Sequence, residues 1–290
     1  MAAQAGVLLR DLVEHAAKRF EEAGIDSAMV DAELLAGHVL DLTRGGIQSE
    51  IIRGAEITDT QADAITQLYA RRLNREPLQH ITGKAYFRNL ELEVGRGVFI
   101  PRPETEFVAQ LAIDALRAVA SEQPIAVDLG TGSGAIALAM ATEVGNSKIY
   151  AVEKSDDAIS FTRKNFANCA PENAVLIHGD LADAFGELDG TVSVVASNPP
   201  YIPLAAVPRD VEVRLHDPEL ALYGGEDGMQ VMHQVSASAK RLLHAGGTLV
   251  VEHADSQSQQ VSQLLLADGW RQVRAHKDLT GRDRAVTAIK

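Results

Sequence analysis

The sequence predicts an α/β protein: a seven-stranded, doubly wound, mostly parallel sheet with one antiparallel edge hairpin, preceded by a small helical domain and a β-hairpin linker. Three observations predict it. From residue 124 onward, strand-like apolar runs alternate with amphipathic helical stretches, as parallel strands joined by helical crossovers require. The last two strand candidates are separated only by Lys277 to Asp283, too short for a helical crossover, so they pair antiparallel. Before residue 84 the apolar residues recur at helical spacing instead.

In chain order, Leu9, Leu12, Val13, Ala16, Ala17 and Phe20 form one helical face that Gly24 stops. A second helix runs from about Ser27 to Leu40 with Val30, Leu34, Leu35 and Val39 inward. A third starts at a capping box, Thr58 to Gln61, and carries Ile65, Leu68, Tyr69 and Leu73 before Pro77 ends it. Residues 1–83 therefore read as the helical domain. Arg71, Arg72 and Arg75 near its end read as a solvated helix face that suits the C-terminal dipole, with an acidic partner as the alternative.

Residues 84–102 read as a hairpin linker, with Tyr86 and Phe87 before Asn89 and alternating Leu90, Leu92 and Val94 after it. Pro103 suits the first position of a helix through Phe107, Leu111 and Leu116. Arg102 and Glu104 are expected to pair with each other or across the domain boundary, a structural role. The sheet domain, 103–290, has strand candidates at 124–129, 148–153, 174–178, 192–197, 247–252, 270–275 and 284–289. Its helix candidates are 134–143, 156–168, 228–244 and 256–267.

Composition narrows the function classes. The net charge of −13 argues against a protein that grips nucleic acid by itself, since phosphate binding needs a basic face. No basic segment followed by a long apolar core opens the chain, and no run approaches the ~18 apolar residues of a membrane span. The single cysteine, Cys169, fits a reducing cytoplasm and rules out a cysteine-built zinc site. The nine histidines lack a metal-binding spacing, so no metal is expected.

The chemistry gathers at strand ends, where open α/β sheets bind ligands. Ser197-Asn198-Pro199-Pro200-Tyr201 follows a buried apolar run, and its two prolines make a stiff loop that presents one amide and one aromatic ring. Such a loop can grip a small planar polar group; alone, it also reads as a proline turn ending a strand. Upstream, Asp128-Leu-Gly130-Thr131-Gly132-Ser133-Gly134 follows the first strand, and its glycines let a ligand approach the backbone and leave helix N-terminal N–H groups for a negative group. Gly130, Gly132 and Ala135 also satisfy the dinucleotide pattern G-x-G-x-x-[GA], which keeps a dehydrogenase open. Glu153 closes the second strand where an acid receives ribose hydroxyls. Asp180 after the third can accept from an exocyclic amine, with Leu181 beside it to cover a ring. Loop, ribose, base and reacting group describe a pocket for an adenosine-bearing cofactor.

With these residues in place, the chain resembles the release-factor glutamine methyltransferases of the HemK/PrmC type along nearly all its length. The segments that carry the resemblance are Pro77-Leu-Gln-His-Ile-Thr-Gly83, Ile100-Pro-Arg-Pro-Glu-Thr-Glu106, Asp128 to Leu138, Ser197 to Pro203, Leu222-Tyr-Gly-Gly-Glu-Asp-Gly228 and Gly281-Arg-Asp-Arg284. The resemblance implies an S-adenosylmethionine-dependent methyltransferase sheet with a helical domain for substrate recognition. It implies methylation, in the cytoplasm, of the amide nitrogen of the glutamine in the Gly-Gly-Gln motif of class I peptide-chain release factors, which affects translation termination. S-adenosylhomocysteine is then the product, and neither nucleic acid nor membrane is a partner. Residues 130–134, Glu153 and Asn198 match the family's cofactor contacts, and Asn198 to Tyr201 match its substrate grip. Two departures stand out: glutamate at 153 where aspartate is commoner, and Glu252-His253-Ala254 where glutamate-isoleucine-glycine is expected. His253 reads as a loop histidine or a substrate-side residue.

The expected mechanism has Asn198 and the Pro199 carbonyl accept from the substrate amine while Tyr201 lies against its plane. An amino-methyltransferase acting on adenine or cytosine in DNA or RNA uses similar chemistry and is the main alternative. A non-catalytic module that keeps the cofactor fold is another.

Overall fold

The computed structural model describes residues 6–169 and 172–290. The chain forms two compact units, Met1–Gly83 with Asp210–His216, and Lys84–Arg209 with Asp217–Lys290.

The first unit holds β1 (Val7–Leu8), α1 (Leu9–Glu22), α2 (Ala28–Leu40), α3 (Arg44–Arg53), β2 (Glu56–Ile57), α4 (Asp59–Leu73) and α5 (Leu78–Thr82). On α1 the spacing works as expected: Leu9, Val13, Ala16, Ala17 and Phe20 are buried. Phe20 meets Tyr69 of α4 edge-on at 5.6 Å between ring centroids. The Thr58 and Gln61 capping box starts α4.

On α2 the buried face differs from the apolar one. Asp31, Ala32, Glu33, Leu35 and Ala36 are buried, while Val30, Leu34 and Val39 are half-buried. The acids go inward because they have partners: Arg72 Nε donates to Asp31 at 2.7 Å, and Arg44 Nε to Glu33 at 2.5 Å. Paired and hydrogen-bonded, a carboxylate can leave water. Helix α3 escapes the periodicity because Ile47 is its one buried apolar residue. Its start is marked instead by Thr43, whose hydroxyl accepts from the Gly46 N–H.

The solvated-face reading of the arginine cluster holds for Arg71 alone, which is exposed and pairs with Glu76. Arg72 is buried, and it donates to Glu212 at 2.8 Å as well as to Asp31; Arg75 donates to Glu212 at 2.5 Å. Burial would push the Glu212 carboxyl up, but Arg75 and Arg72 outweigh it and hold the pKa at about 2.

The second unit continues with β3 (Lys84–Phe87), β4 (Leu90–Glu93), α6 (Pro103–Arg117), β5 (Ile125–Leu129), α7 (Ala135–Glu143), β6 (Lys148–Glu153), α8 (Asp156–Cys169), β7 (Ala174–His178) and β8 (Val192–Ser197). After β8 the chain supplies α9 (Val211–His216) to the first unit. It then forms α10 (Glu219–Leu222), α11 (Gln230–Leu242), β9 (Leu243–Glu252), α12 (Ser258–Ala267), β10 (Arg271–Lys277) and β11 (Asp283–Ile289). The helix before β9 is shorter than its spacing suggests, and β9 starts directly at Leu243.

The seven strands run in the order β10-β11-β9-β8-β5-β6-β7. Only β11 is antiparallel to its neighbours, β9 and β10, so the edge hairpin is as expected. From β5 the chain moves outward through β6 and β7, then returns to β8 on the other side of β5. That reversal opens a crevice at the carboxyl ends of β5 and β8. Every residue of β8 is buried. One apolar cluster packs α6 and α7 on the sheet, and a second packs α11 and α12. Among the described residues no helix is long and apolar enough to cross a membrane.

Candidate active site

The structure brings the strand-end residues onto adjacent strands. Asn198 follows β8, Asp128 and the glycine loop end β5, Glu153 ends β6, and Asp180 lies just beyond β7. Ser197 Oγ donates to the Leu129 carbonyl at 2.6 Å, which ties the ends of β8 and β5 together at the crevice.

Asp128 is fully buried under the glycine loop. Its Oδ2 accepts from the Thr131 hydroxyl at 2.5 Å and from the Ala137 N–H at 3.1 Å, so it caps the first turn of α7 from a distant position. Burial pushes its pKa up to about 7 against those two donors. Its Oδ1 is buried without a partner.

The loop's amides differ from expectation. Gly130 and Thr131 N–H both donate to the Val152 carbonyl, Gly132 N–H donates to Glu153 Oε2 at 2.8 Å, and Gly134 N–H donates to the Thr131 carbonyl. These groups shape the loop rather than wait for an anion. Behind it, Thr162 Oγ1 donates to the Gly132 carbonyl and Asn165 Nδ2 to the Ser133 carbonyl, both from the inner face of α8.

Glu153 uses its extra methylene to span the loop. Its other oxygen accepts from Ser155 N–H at 2.7 Å. A carboxylate with two acceptor bonds keeps lone pairs for more. Asp180 accepts from Ala182 N–H and from Lys154 Nζ at 2.8 Å, and these, in that order, hold its pKa below the ordinary value. Leu181 is half-buried against the cluster that includes Leu129 and Val152.

The Asn-Pro-Pro-Tyr loop is held from several sides. The Ile202 and Gly224 backbones exchange bonds with Leu222 and Ile202, which lays the Leu222–Gly228 segment along the loop. A Cβ on Gly224 would lie 2.4 Å from the Pro200 oxygen, so only glycine permits this approach. Gln257 Nε2 donates to the Tyr201 carbonyl at 3.0 Å.

The side chains of the loop reach a buried polar cluster. Asn198 Nδ2 donates to Thr105 Oγ1, on the first turn of α6, at 3.3 Å. The Tyr201 hydroxyl makes a long hydrogen bond of 3.5 Å to Glu252 Oε1 at the end of β9. Burial raises the Glu252 pKa to about 7, opposed by the Thr105 hydroxyl and then by Arg284. Burial, then the Glu252 charge, also push the Tyr201 phenol up. His253 is fully buried, with Nδ1 2.7 Å from the Ala254 carbonyl, and burial pushes its pKa down. Its Nε2 is buried without a hydrogen-bond partner. Arg102 pairs with Asp217 of its own unit at 2.7 Å, rather than with Glu104, and lies over Phe99.

Sequence reasoning missed Thr105, Thr162, Asn165, Glu252 and Gln257 as supports of the site. A signal existed for two of them, since Thr162 and Asn165 fall on the inward face of an amphipathic helix, where an apolar residue is the default.

A family model described as the PrmC N-terminal domain matches residues 11–83, and one described as a methyltransferase domain matches residues 121–282. The release factor glutamine methyltransferase of Streptomyces coelicolor is 48% identical over 289 residues, covering 98% of this chain and 98% of that protein. That of Bifidobacterium longum is 41% identical over 293 residues, covering 98% of this chain and all of its own length. A solved methyltransferase from Pyrococcus furiosus matches with a TM-score of 0.52 at 20% identity, over 78% of this chain and 98% of that one, a likeness of fold.

Proposed function

The chain belongs to the release factor glutamine methyltransferase family, and from that premise we propose that it methylates the side-chain amide nitrogen of a release factor's glutamine, using S-adenosylmethionine. The acceptor is the glutamine of the Gly-Gly-Gln loop in class I release factors, in the cytoplasm, and the modification bears on translation termination. The observation that carries this reading is the orientation of Asn198: its nitrogen is bonded inward to Thr105, which leaves Oδ1 as an acceptor at the crevice.

The cofactor fits the residues present. Nothing lies within 4 Å of where a Cβ would stand on Gly130 or Gly132, and Asp128 Oδ1 is an open acceptor for an amine. Asp128, Gly130 to Gly134, Glu153, Asp180, Leu181 and Asn198 would hold it. When bound, it supplies a methyl group on a positively charged sulfur. A dinucleotide fits less well, because the amides that a diphosphate would use at Gly130, Thr131, Gly132 and Gly134 are already bonded within the protein.

An amide nitrogen is a poor nucleophile because its lone pair is delocalised into the carbonyl. Asn198 Oδ1 and the Pro199 carbonyl accept from the substrate NH2, which favours positive charge growing on that nitrogen. Tyr201 fixes the amide plane. Held in line, the acceptor gains up to ~7–11 kcal/mol of barrier reduction from placement alone, so no strong base is needed before the methyl moves. The helical unit adds the recognition area that a tripeptide lacks.

The test is methyl transfer from labelled S-adenosylmethionine to a purified release factor, with DNA and RNA in parallel. Label on the Gly-Gly-Gln glutamine is expected. Label on nucleic acid alone would replace this reading with the amino-methyltransferase one.

A further inference from the structure

Apolar side chains standing in water need no explanation when they are scattered, and one when they gather. Six large apolar residues of the second unit are exposed among the described residues: Tyr86, Leu204, Val207, Leu220, Leu266 and Leu279. Four of them stand on segments that frame the Asn-Pro-Pro-Tyr loop.

Leu204 and Val207, 60% and 67% exposed, lie just after Tyr201 in the chain. Their stretch, Pro203 to Pro208, carries no charged residue. Its two prolines stiffen it, Leu204 N–H donates to the Gly225 carbonyl at 2.9 Å, and Pro208 is buried. Leu220, 56% exposed, belongs to α10, whose last residue, Leu222, accepts from the Ile202 N–H at 2.9 Å.

Leu279 reaches the same end of the sheet by another route. Strand β11 is antiparallel to β9 and β10 and sets Ala285 opposite Glu252, so the turn between β10 and β11 stands at the carboxyl end of β9. That is the end where the Tyr201 hydroxyl meets Glu252. Asp278 builds the turn. Its Oδ1 accepts from the Thr280 N–H at 2.8 Å, the Thr280 hydroxyl at 2.6 Å and the Arg282 N–H at 3.3 Å, and its Oδ2 accepts from Arg284 Nε at 3.2 Å. A turn so fixed holds Leu279 out at 99% exposure and has little freedom left to lose when a partner covers it.

We propose that Leu204, Val207, Leu220 and Leu279 form a docking rim on which the release factor seats apolar side chains that flank its acceptor glutamine. This rests on the function proposed above and names the surface that reads the protein around that glutamine. Continuity with the loop commits the rim to this occupant, because whatever carries an amide to Asn198 brings its own surface against the segments around it. A nucleic acid would need cations there for its phosphates, and Pro203 to Pro208 offers none.

The experiment makes Leu204→Ser, Val207→Ser, Leu220→Ser and Leu279→Ser in the full-length chain, singly and together, with Leu266→Ser as control. Leu266 is 59% exposed, but it lies near the end of α12, shortly before β10 begins, at the opposite end of the sheet. The readings are KM and kcat for a purified release factor at saturating S-adenosylmethionine, cofactor Kd by calorimetry, thermal melts and sedimentation. Each rim substitution is expected to raise KM about three- to tenfold, and the fourfold variant about a hundredfold, a share of what burying such side chains is worth. The kcat and the cofactor Kd are expected to stay within about twofold, as they do when binding shared by ground and transition states is lost. Leu266→Ser is expected to match wild type.

An unchanged KM in the fourfold variant overturns the proposal. So does a fall in kcat without a rise in KM, which would mark a disturbed loop. A wild-type dimer that the fourfold variant converts to monomer also overturns it, since the rim would then be a contact between copies. If the fourfold variant does not fold, the single variants decide. A release factor left unlabelled by the wild-type chain defeats the proposed function and the rim with it, whereas normal labelling with KM unmoved by the variants defeats the rim alone.

Discussion

Gly228 lies flush against the main chain of Tyr201: a Cβ there would stand 2.2 Å from the Tyr201 carbonyl oxygen, at a φ of +76°. Gly224 and Gly228 thus make room for the loop's main chain, whereas Gly225, at a φ of +95°, faces Gln230. Gly228→Ala must displace that carbonyl or strain its own backbone. It is expected to cost about 1–3 kcal/mol of stability and to lower turnover by up to ~10²-fold through misplacement of the grip. Denaturant unfolding and kcat at saturating cofactor check both.

Asn198→Ala removes the side-chain oxygen proposed above as acceptor for the substrate amine, while leaving Pro199 and Tyr201. By analogy with the loss of one preorganised hydrogen-bonding group, turnover is expected to fall ~10²–10³-fold. The rate is measured at saturating cofactor, so that any weakened cofactor binding does not enter. Near-native turnover would remove Asn198 from the mechanism.

Arg72→Met leaves Asp31 buried without its guanidinium and takes one of two cations from Glu212. Breaking a buried pair from one side costs about 3–5 kcal/mol. A fall of that order in the unfolding free energy is expected, whereas Arg71→Met, at an exposed pair, should change it by less than about 1 kcal/mol.

Glu252 also shapes stability with pH. Its folded pKa of about 7 lies above the unfolded value of 4.5, so its contribution is full below the unfolded value and is lost as pH rises through 7. Glutamine carries no such loss. From pH 5 to pH 8, Glu252→Gln should gain on the order of 2 kcal/mol relative to wild type. Comparing the two proteins cancels the histidines His253 and His276, whose depressed pKa values run the other way. Parallel stability curves across that range would mean that Glu252 titrates normally.

The sheet and its strand-end residues were legible because each rests on local pattern. Apolar alternation gives the strands, and Gly130, Glu153 and Asn198 sit beside their strands in sequence. What stayed hidden depends on partners remote in the chain. Nothing near Asp31 announces that it turns inward; Arg72 decides that from α4. Thr105 meets Asn198 from α6 and Glu252 meets Tyr201 from β9, and His253 looks like a loop residue until its full burial at the end of β9 is seen. The amides of Gly130, Thr131 and Gly132 read as free because their acceptors, Val152 and Glu153, belong to β6.

The excursion that carries Glu212 into the helical unit has a consequence for synthesis. As the chain emerges, Arg72 can pair with Asp31 at once, but its second carboxylate arrives only after six strands, the glycine loop and Asn198 have been made. At the pace of translation this interval is on the order of ten seconds. Through that time the helical unit is short of its last piece, and it is finished only once the Asn-Pro-Pro-Tyr loop has left the ribosome.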